Sequence, residues 1–98
     1  MLVSDFLATG EENAKTSKEL CYLLHVDKRT LTAAIERERR DGKPICASCS
    51  TETPGYYLAG DRETMQRYCD SLHHRAAEIY ATRRACLQTL ERLPEKGA

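Results

Sequence analysis

Two capped helical segments follow each other closely between residues 16 and 35, and this arrangement constrains the fold more than any other feature. Thr16 and Glu19 match a capping box, in which each side chain satisfies the backbone amide of the other at a helix start. The helix that begins there should end near His25. Asp27 is a good N-cap for a second helix, so only a tight turn separates the two. The sequence therefore predicts two helices joined by a tight turn.

Both helices have an apolar stripe at helical spacing, which predicts burial against a common core. The stripes comprise Leu20, Leu23 and Leu24 in the first helix, and Leu31, Ala34 and Ile35 in the second. Gly42 suits the position after the second helix, and Pro44 prevents the helix from continuing.

Shorter elements are expected on both sides of this pair. Residues 2–8 have apolar pairs at i,i+4 spacing, which indicates a short helix, and the polar residues 11–15 indicate a loop. Residues 45–48 and 56–59 are β-prone, and the segment between them is rich in turn formers. This pattern predicts a β-hairpin with a long connection.

A long helix is predicted from the cap at Asp61 to about Leu93, because this stretch contains neither Pro nor Gly. Its length would be about 50 Å at about 1.5 Å per residue. An apolar repeat of seven residues runs along it and favours left-handed pairing with another helix. The a positions are Cys69, Ala76, Arg83 and Leu90, and the d positions are Met65, Leu72, Ile79, Cys86 and Leu93.

Together these elements predict an α+β fold, mainly α with a small hairpin. We expect a compact domain over residues 1–60, a helix for dimerisation over 61–93 and a disordered tail over 94–98. A helix folded back on its own domain would also explain the stripe. A homodimer is favoured, because a helix of this length exceeds what a domain of about sixty residues can cover.

Composition narrows the class of protein. Of 98 residues 31% are charged, the formal net charge is zero, and no apolar run approaches the ~20 residues that span a bilayer. We expect a cytoplasmic protein without membrane contact, and five scattered cysteines fit a reducing compartment. Residues 15–43 carry eight basic and five acidic residues, and this local excess matters more for phosphate binding than the total charge.

Residues 16–35 resemble a helix-turn-helix motif, with Leu20, Leu24, Val26, Leu31 and Ile35 at its apolar positions. Residues 40–58 resemble the wing of small regulators from phages and prophages of Gram-positive bacteria. The resemblance implies a winged helix-turn-helix domain followed by a long C-terminal helix, and it implies binding to double-stranded DNA. It covers about the first sixty residues.

The helix from residue 28 would present its outer face to a DNA groove. Arg29 could contact guanine or phosphate, whereas Arg37, Arg40 and Lys43 suit phosphate because they lie late on the helix or beyond it. Small side chains at Thr32 and Ala33 would let the helix approach base edges. The full expected DNA-binding set is Lys18, Lys28, Arg29, Thr30, Thr32, Ala33, Arg37, Arg40 and Lys43.

Three alternatives stay open from the sequence. The basic residues could be a solvated helix face, interleaved with Glu36 and Glu38. The chain could be an adaptor that binds another protein through the domain or the long helix. It could also be an architectural or recombination accessory protein that binds DNA with little sequence preference.

Catalytic and metal chemistry are not expected, and no cofactor is predicted. Cys46 and Cys49 have the spacing of half a zinc site, but a structural zinc needs four ligands. Cys46 should instead be a small buried residue on the first strand of the hairpin. His73 and His74 are adjacent on a helix, so they point about 100° apart and do not form one site well.

Overall fold

The computed structural model describes residues 2–48 and 50–95. Helices predominate in this part of the chain and an antiparallel hairpin accompanies them, so the fold class is α+β. In chain order the elements are 3-10 turns at Val3–Phe6 and Glu11–Asn13, helix α1 (Ser17–Leu24), helix α2 (Lys28–Arg40), strand β1 (Ile45–Ser48), strand β2 (Gly55–Leu58) and helix α3 (Arg62–Arg92).

The predicted caps of α1 and α2 are confirmed. The Thr16 hydroxyl accepts from the Glu19 amide at 3.1 Å, and the Glu19 carboxylate accepts from the Thr16 amide at 3.3 Å. The Asp27 carboxylate accepts from the Thr30 amide at 2.8 Å, and hydrogen bonds from Thr30 hold the pKa of Asp27 below its ordinary value of 3.8. Between the helices His25 adopts φ 57° and ψ 44°, a left-handed conformation that histidine tolerates better than most residues.

The N-terminal segment differs from the expected short helix over residues 2–8, because only a 3-10 turn at Val3–Phe6 forms. The following residues instead run alongside β2. The Leu58 amide donates to the Ala8 carbonyl at 2.9 Å, and the Gly10 amide donates to the Leu58 carbonyl at 3.0 Å. This extended stretch leaves room for a single helical turn before it. The expected loop over residues 11–15 contains the second 3-10 turn.

The hairpin has the predicted first strand, and its second strand begins one residue earlier than expected. Ile45 faces Leu58, and Ser48 faces Gly55. On the free edge of β2, the amide of Tyr56 donates to the carbonyl of Lys15 at 2.8 Å, and the reverse bond is 2.9 Å. Gly55 has φ +124°, and a Cβ there would collide with the backbone of Lys15. A glycine is therefore needed for the chain to pass Lys15 this closely.

Two apolar clusters hold these elements together. The larger one consists of Val3, Leu7, Leu20, Leu31, Ile35 and Ile45, so it joins the first turn, both short helices and the hairpin. The smaller one consists of Cys46, Tyr57 and Tyr68, with Met65 packed against it, and it fastens the start of α3 to the hairpin. Burial raises the pKa of Tyr57. We call residues 2–48 and 50–68 the head.

Helix α3 agrees with the predicted range of 61–93. The Asp61 carboxylate accepts from the Thr64 amide at 2.7 Å, and this bond lowers the pKa of Asp61 below 3.8. We call residues 69–92 of α3 the tail helix. Within it only Ser71 is half-buried, and the other side chains are exposed. Of the predicted disordered tail, residues 96–98 lie outside the described part of the chain.

None of the helices in residues 2–48 and 50–95 combines the length and the apolar composition that a bilayer crossing requires.

Candidate nucleic-acid interface

The inner face of α2 determines which of its residues face outward. Leu31, Ile35 and Glu38 are buried at helical spacing, with 1%, 2% and 4% of their surface exposed. At 3.6 residues per turn, the opposite face of α2 starts at Arg29 and continues four, seven and eleven residues later. These four residues are Arg29, Ala33, Glu36 and Arg40, and all are exposed.

Every predicted DNA-binding residue lies on the surface. The exposed set comprises Lys18, Lys28, Arg29, Thr30, Thr32, Ala33, Arg37, Arg40 and Lys43. Thr32 lies at the hairpin-side margin of the outer face, and its hydroxyl donates to the Lys28 carbonyl at 2.9 Å. Lys43 follows the helix, and its amide donates to the Glu38 carbonyl at 2.9 Å.

The exposed charge on α2 is mainly positive. Four exposed cations, Lys28, Arg29, Arg37 and Arg40, accompany one exposed acid, Glu36. Glu36 and Arg40 form an ion pair at 3.1 Å with 60% and 79% of their side chains exposed. Such a pair in solvent contributes little stability, so Arg40 can exchange Glu36 for another anion at low cost.

Two of the predicted cations lie beside the hairpin. Lys18 on α1 and Lys28 on α2 line one notch of about 420 Å³, together with Pro54 from the turn of the hairpin and Gly55 at the start of β2. The start of α1 at Thr16 and Ser17 forms another wall of this notch. Helix N-termini and lysines both favour anions, so the notch suits a phosphate oxygen. Thr30 and Arg37 line a different groove on the far side of α2.

Sequence reasoning missed the role of Glu38. One of the open alternatives placed it on a solvated helix face, but its carboxylate accepts from the amides of Val3 and Ser4 at 2.7 and 3.0 Å. These bonds satisfy two amides that the short 3-10 turn leaves without a helical partner. Helical spacing could have indicated that Glu38 is buried, because it lies seven residues after Leu31 and three after Ile35, on the inner stripe of α2.

Arg39 was also missed, and its position follows from the same periodicity. Its Nε donates to the Ile45 carbonyl at 2.9 Å, and its guanidinium carbon lies 5.9 Å and 5.0 Å from the ring centres of Tyr56 and Tyr68. Its Nη2 is buried and has no hydrogen-bond partner within residues 2–48 and 50–95. The aromatic rings offset that cost through cation–π attraction. Arg39 therefore joins α2, the hairpin and α3 and is not available to DNA.

Of the two cysteines with the spacing of half a zinc site, only Cys46 lies within the described residues. Cys46 is fully buried, as expected, and its Sγ lies 3.9 Å from the Met65 Sδ. Cys49 lies outside the described residues.

The predicted seam of the long helix is exposed over most of its length. Cys69, Ala76, Arg83 and Cys86 are exposed, and Leu72, Ile79, Leu90 and Leu93 have between 40% and 64% of their surface exposed. Met65 differs, because it is half-buried and packs against the smaller apolar cluster of the head. The exposed apolar stripe thus begins at Cys69.

No known protein family, curated protein or solved structure matches this chain.

Proposed function

We propose that this chain is a sequence-specific DNA-binding protein that acts as a dimeric transcriptional regulator. Its head is a winged helix-turn-helix, with α2 as the recognition helix and the hairpin as the wing. The resemblance of residues 16–35 and 40–58 to small regulators of phages and prophages supports a role of the phage or mobile-element type.

The observation that carries the proposal is the free outer face of α2. Arg29 and Thr32 are exposed, although the opposite side of the same helix is fully buried. A recognition helix needs this division, because one face must anchor it while the other enters the major groove. The left-handed turn at His25 and the hydrogen-bonded caps fix the two helices on either side of it.

The contacts divide into base-reading and phosphate-binding groups. Arg29 near the start of α2 has a guanidinium fork that suits the acceptors of guanine, and Thr32 is small enough to lie against a base edge. Lys18 and Lys28 in the notch beside the hairpin suit phosphate, as do Arg37 and Lys43. The hairpin would then lie on the backbone or in the minor groove.

The tail helix supports the dimer. Its apolar stripe from Cys69 to Leu90 repeats every seven residues and is exposed, and the predicted position Leu93 lies just beyond the helix. Pairing two such helices would remove that stripe from water and bring two recognition helices to one DNA. The half-sites would lie about ten base pairs apart or a multiple of that distance.

Affinity for duplex DNA as a function of salt tests the function directly. A phosphate-binding surface should lose affinity with a slope of about −0.9 in log–log form for each phosphate contacted. Selection from a random DNA pool should enrich a two-fold symmetric sequence. Absence of binding at low salt would leave the adaptor function, and equal affinity for all duplexes would leave the architectural one.

Single substitutions on α2 separate reading from phosphate binding. Arg29→Ala and Thr32→Ala should both lower affinity and relax sequence preference, with a loss of about 1–3 kcal/mol for a bidentate base contact. Arg37→Ala should weaken binding to all sequences about equally. Arg84→Ala is the matched control, because Arg84 is an exposed cation on the tail helix. Unchanged affinity and preference in Arg29→Ala would contradict the assignment of α2.

Sedimentation of an Ile79→Asp variant tests the dimer. Ile79 is 63% exposed in the described chain and lies at the centre of the apolar stripe, so a charge there should produce monomers. Gln88→Asp adds the same charge outside the stripe and should leave the mass of the dimer unchanged. An Ile79→Asp protein with the wild-type mass would show that this stripe does not form the interface.

A further inference from the structure

A groove of about 470 Å³ lies on the side of α2 that faces away from the hairpin. It is bounded by the first 3-10 turn, by the end of α1 with its turn, and by one face of α2. Its volume falls within the range of about 300–1,000 Å³ that small-molecule sites occupy. From α2 it is lined by Thr30, Leu31, Ala34 and Arg37.

The floor of this groove is apolar. Val3 and Leu31 are buried in the larger cluster beneath it, and Phe6 and Leu24 pack half-buried against that cluster. At the mouth, Leu23 has 43% of its surface exposed. The first 3-10 turn, Val3–Phe6, contributes Val3 and Phe6 to the lining. Apolar surface is therefore available to a ligand, and covering it is favourable.

The groove carries an unpaired cation at its rim. Arg37 is exposed and makes no ion pair or side-chain hydrogen bond within residues 2–48 and 50–95, and it lines the groove together with His25. No carboxylate is among the lining residues described. The nearby acid of α2, Glu38, is already bonded to the amides of Val3 and Ser4. An apolar floor with an unpaired guanidinium at its edge complements an amphipathic anion.

We propose that this groove binds a small organic carboxylate with an apolar body. The apolar part lies on Leu24, Leu31 and Ala34, and the carboxylate accepts two parallel hydrogen bonds from the guanidinium of Arg37. An arginine fork matches a carboxylate in this way and holds it more strongly than a neutral group of the same shape.

The same ligand would control DNA binding, a consequence that rests on the proposed function. Arg37 and Thr30 belong both to the groove and to the DNA-binding set. A carboxylate on Arg37 neutralises one of the four exposed cations of α2 and competes with phosphate for it. Ligand and DNA should therefore weaken each other's binding by the same factor, as linkage requires.

The test uses phenylbutyrate and phenylbutanol, which share an apolar body and differ in the carboxylate. Binding to the full chain is measured by calorimetry and by amide chemical shifts. Phenylbutyrate should bind about tenfold or more tightly than phenylbutanol, and the shifts should concentrate on the first 3-10 turn, the end of α1 and α2. Equal affinity, shifts elsewhere or no binding of phenylbutyrate would overturn the proposal.

Two variants and a control locate the interaction. Arg37→Gln should lower the affinity for phenylbutyrate to that for phenylbutanol. Leu23→Glu should weaken the binding of phenylbutyrate, because the new carboxylate at the mouth of the groove repels that of the ligand. Arg40→Gln removes a cation one turn further along α2, outside the lining, and should leave binding of phenylbutyrate unchanged. A retained preference for the acid in Arg37→Gln would contradict the proposed carboxylate contact.

Measurements with DNA distinguish the two proposals. If phenylbutyrate binds the groove and the protein binds no DNA, the ligand site stands and the proposed function fails. If the protein binds DNA and phenylbutyrate neither binds nor displaces it, the function stands and the ligand site fails.

Discussion

The head and the tail helix use the same apolar periodicity with opposite results. In the head, the stripe of α2 is covered, and Leu31 and Ile35 retain 1% and 2% of their surface. In the tail helix, Ile79 and Leu90 at equivalent stripe positions are 63% and 64% exposed. A helical stripe therefore indicates that a face needs a partner, but it does not indicate whether that partner lies in the same chain.

This difference predicts two sources of stability. The head is stabilised by burial within one chain, so its unfolding should not depend on protein concentration. A single helix without tertiary packing is marginal in water, and the stability of the tail helix should depend on association. The predictions below test this contrast by placing matched substitutions in covered and uncovered positions.

The largest effect is expected for a leucine truncation in the core. Leu31→Ala should lower the free energy of unfolding of the head by about 2–5 kcal/mol, since it removes buried methyl groups and leaves a cavity. Leu87→Ala makes the same change at a tail position that is 41% exposed and should cost the head less than about 0.5 kcal/mol. Denaturant unfolding measures both. Similar losses for the two variants would mean that the head and tail unfold as one unit.

A smaller loss is expected for the buried acid of α2. Glu38→Gln should destabilise the head by about 1–3 kcal/mol, because an amide NH2 replaces one of the oxygens that accept from Val3 and Ser4. Faster hydrogen exchange at these two amides should accompany the loss. Glu36→Gln, an exposed position on the same helix, should change stability by less than about 0.5 kcal/mol. A neutral effect of Glu38→Gln would show that its hydrogen bonds do not hold the N-terminal turn.

The smallest effect is expected from acid, at the capping carboxylates. Hydrogen bonds lower the pKa of Asp27 and Asp61 below 3.8 in the folded protein, so both stabilise it fully above that ordinary value. Their contribution is lost as pH falls from the ordinary pKa through the lower folded one. An Asp27→Asn, Asp61→Asn double variant should therefore lose less thermal stability than the wild type between about pH 5 and about pH 2. An identical acid dependence would contradict the role of these caps.

Local chemistry made much of this fold predictable. The capping box at Thr16, the cap at Asp27 and the end of α1 near His25 each depend on neighbouring residues, and the structure contains all three. The inner positions Leu20, Leu31 and Ile35 followed from helical spacing. The exposure of the predicted DNA-binding residues of α2 also followed, because they occupy the remaining faces of that helix.

The features that were missed depend on distant partners. Glu38 lies 35 positions from Val3, and its burial requires the N-terminal turn to present two free amides. That turn is itself shortened because residues 8–10 pair with β2. The groove beside α2 is lined by this turn and by the end of α1 as well, so the sequence of α2 alone could not indicate it.

Arg39 makes three elements mechanically dependent on one side chain. Its side chain donates to the Ile45 carbonyl of β1 and lies against Tyr56 of β2 and Tyr68 of α3. If any one of these elements moves away, the guanidinium of Arg39 loses part of its contacts. Detachment of the hairpin alone, or of the first turns of α3 alone, would therefore leave the guanidinium of Arg39 without some of its contacts. We therefore expect this corner of the head to open cooperatively, in one step.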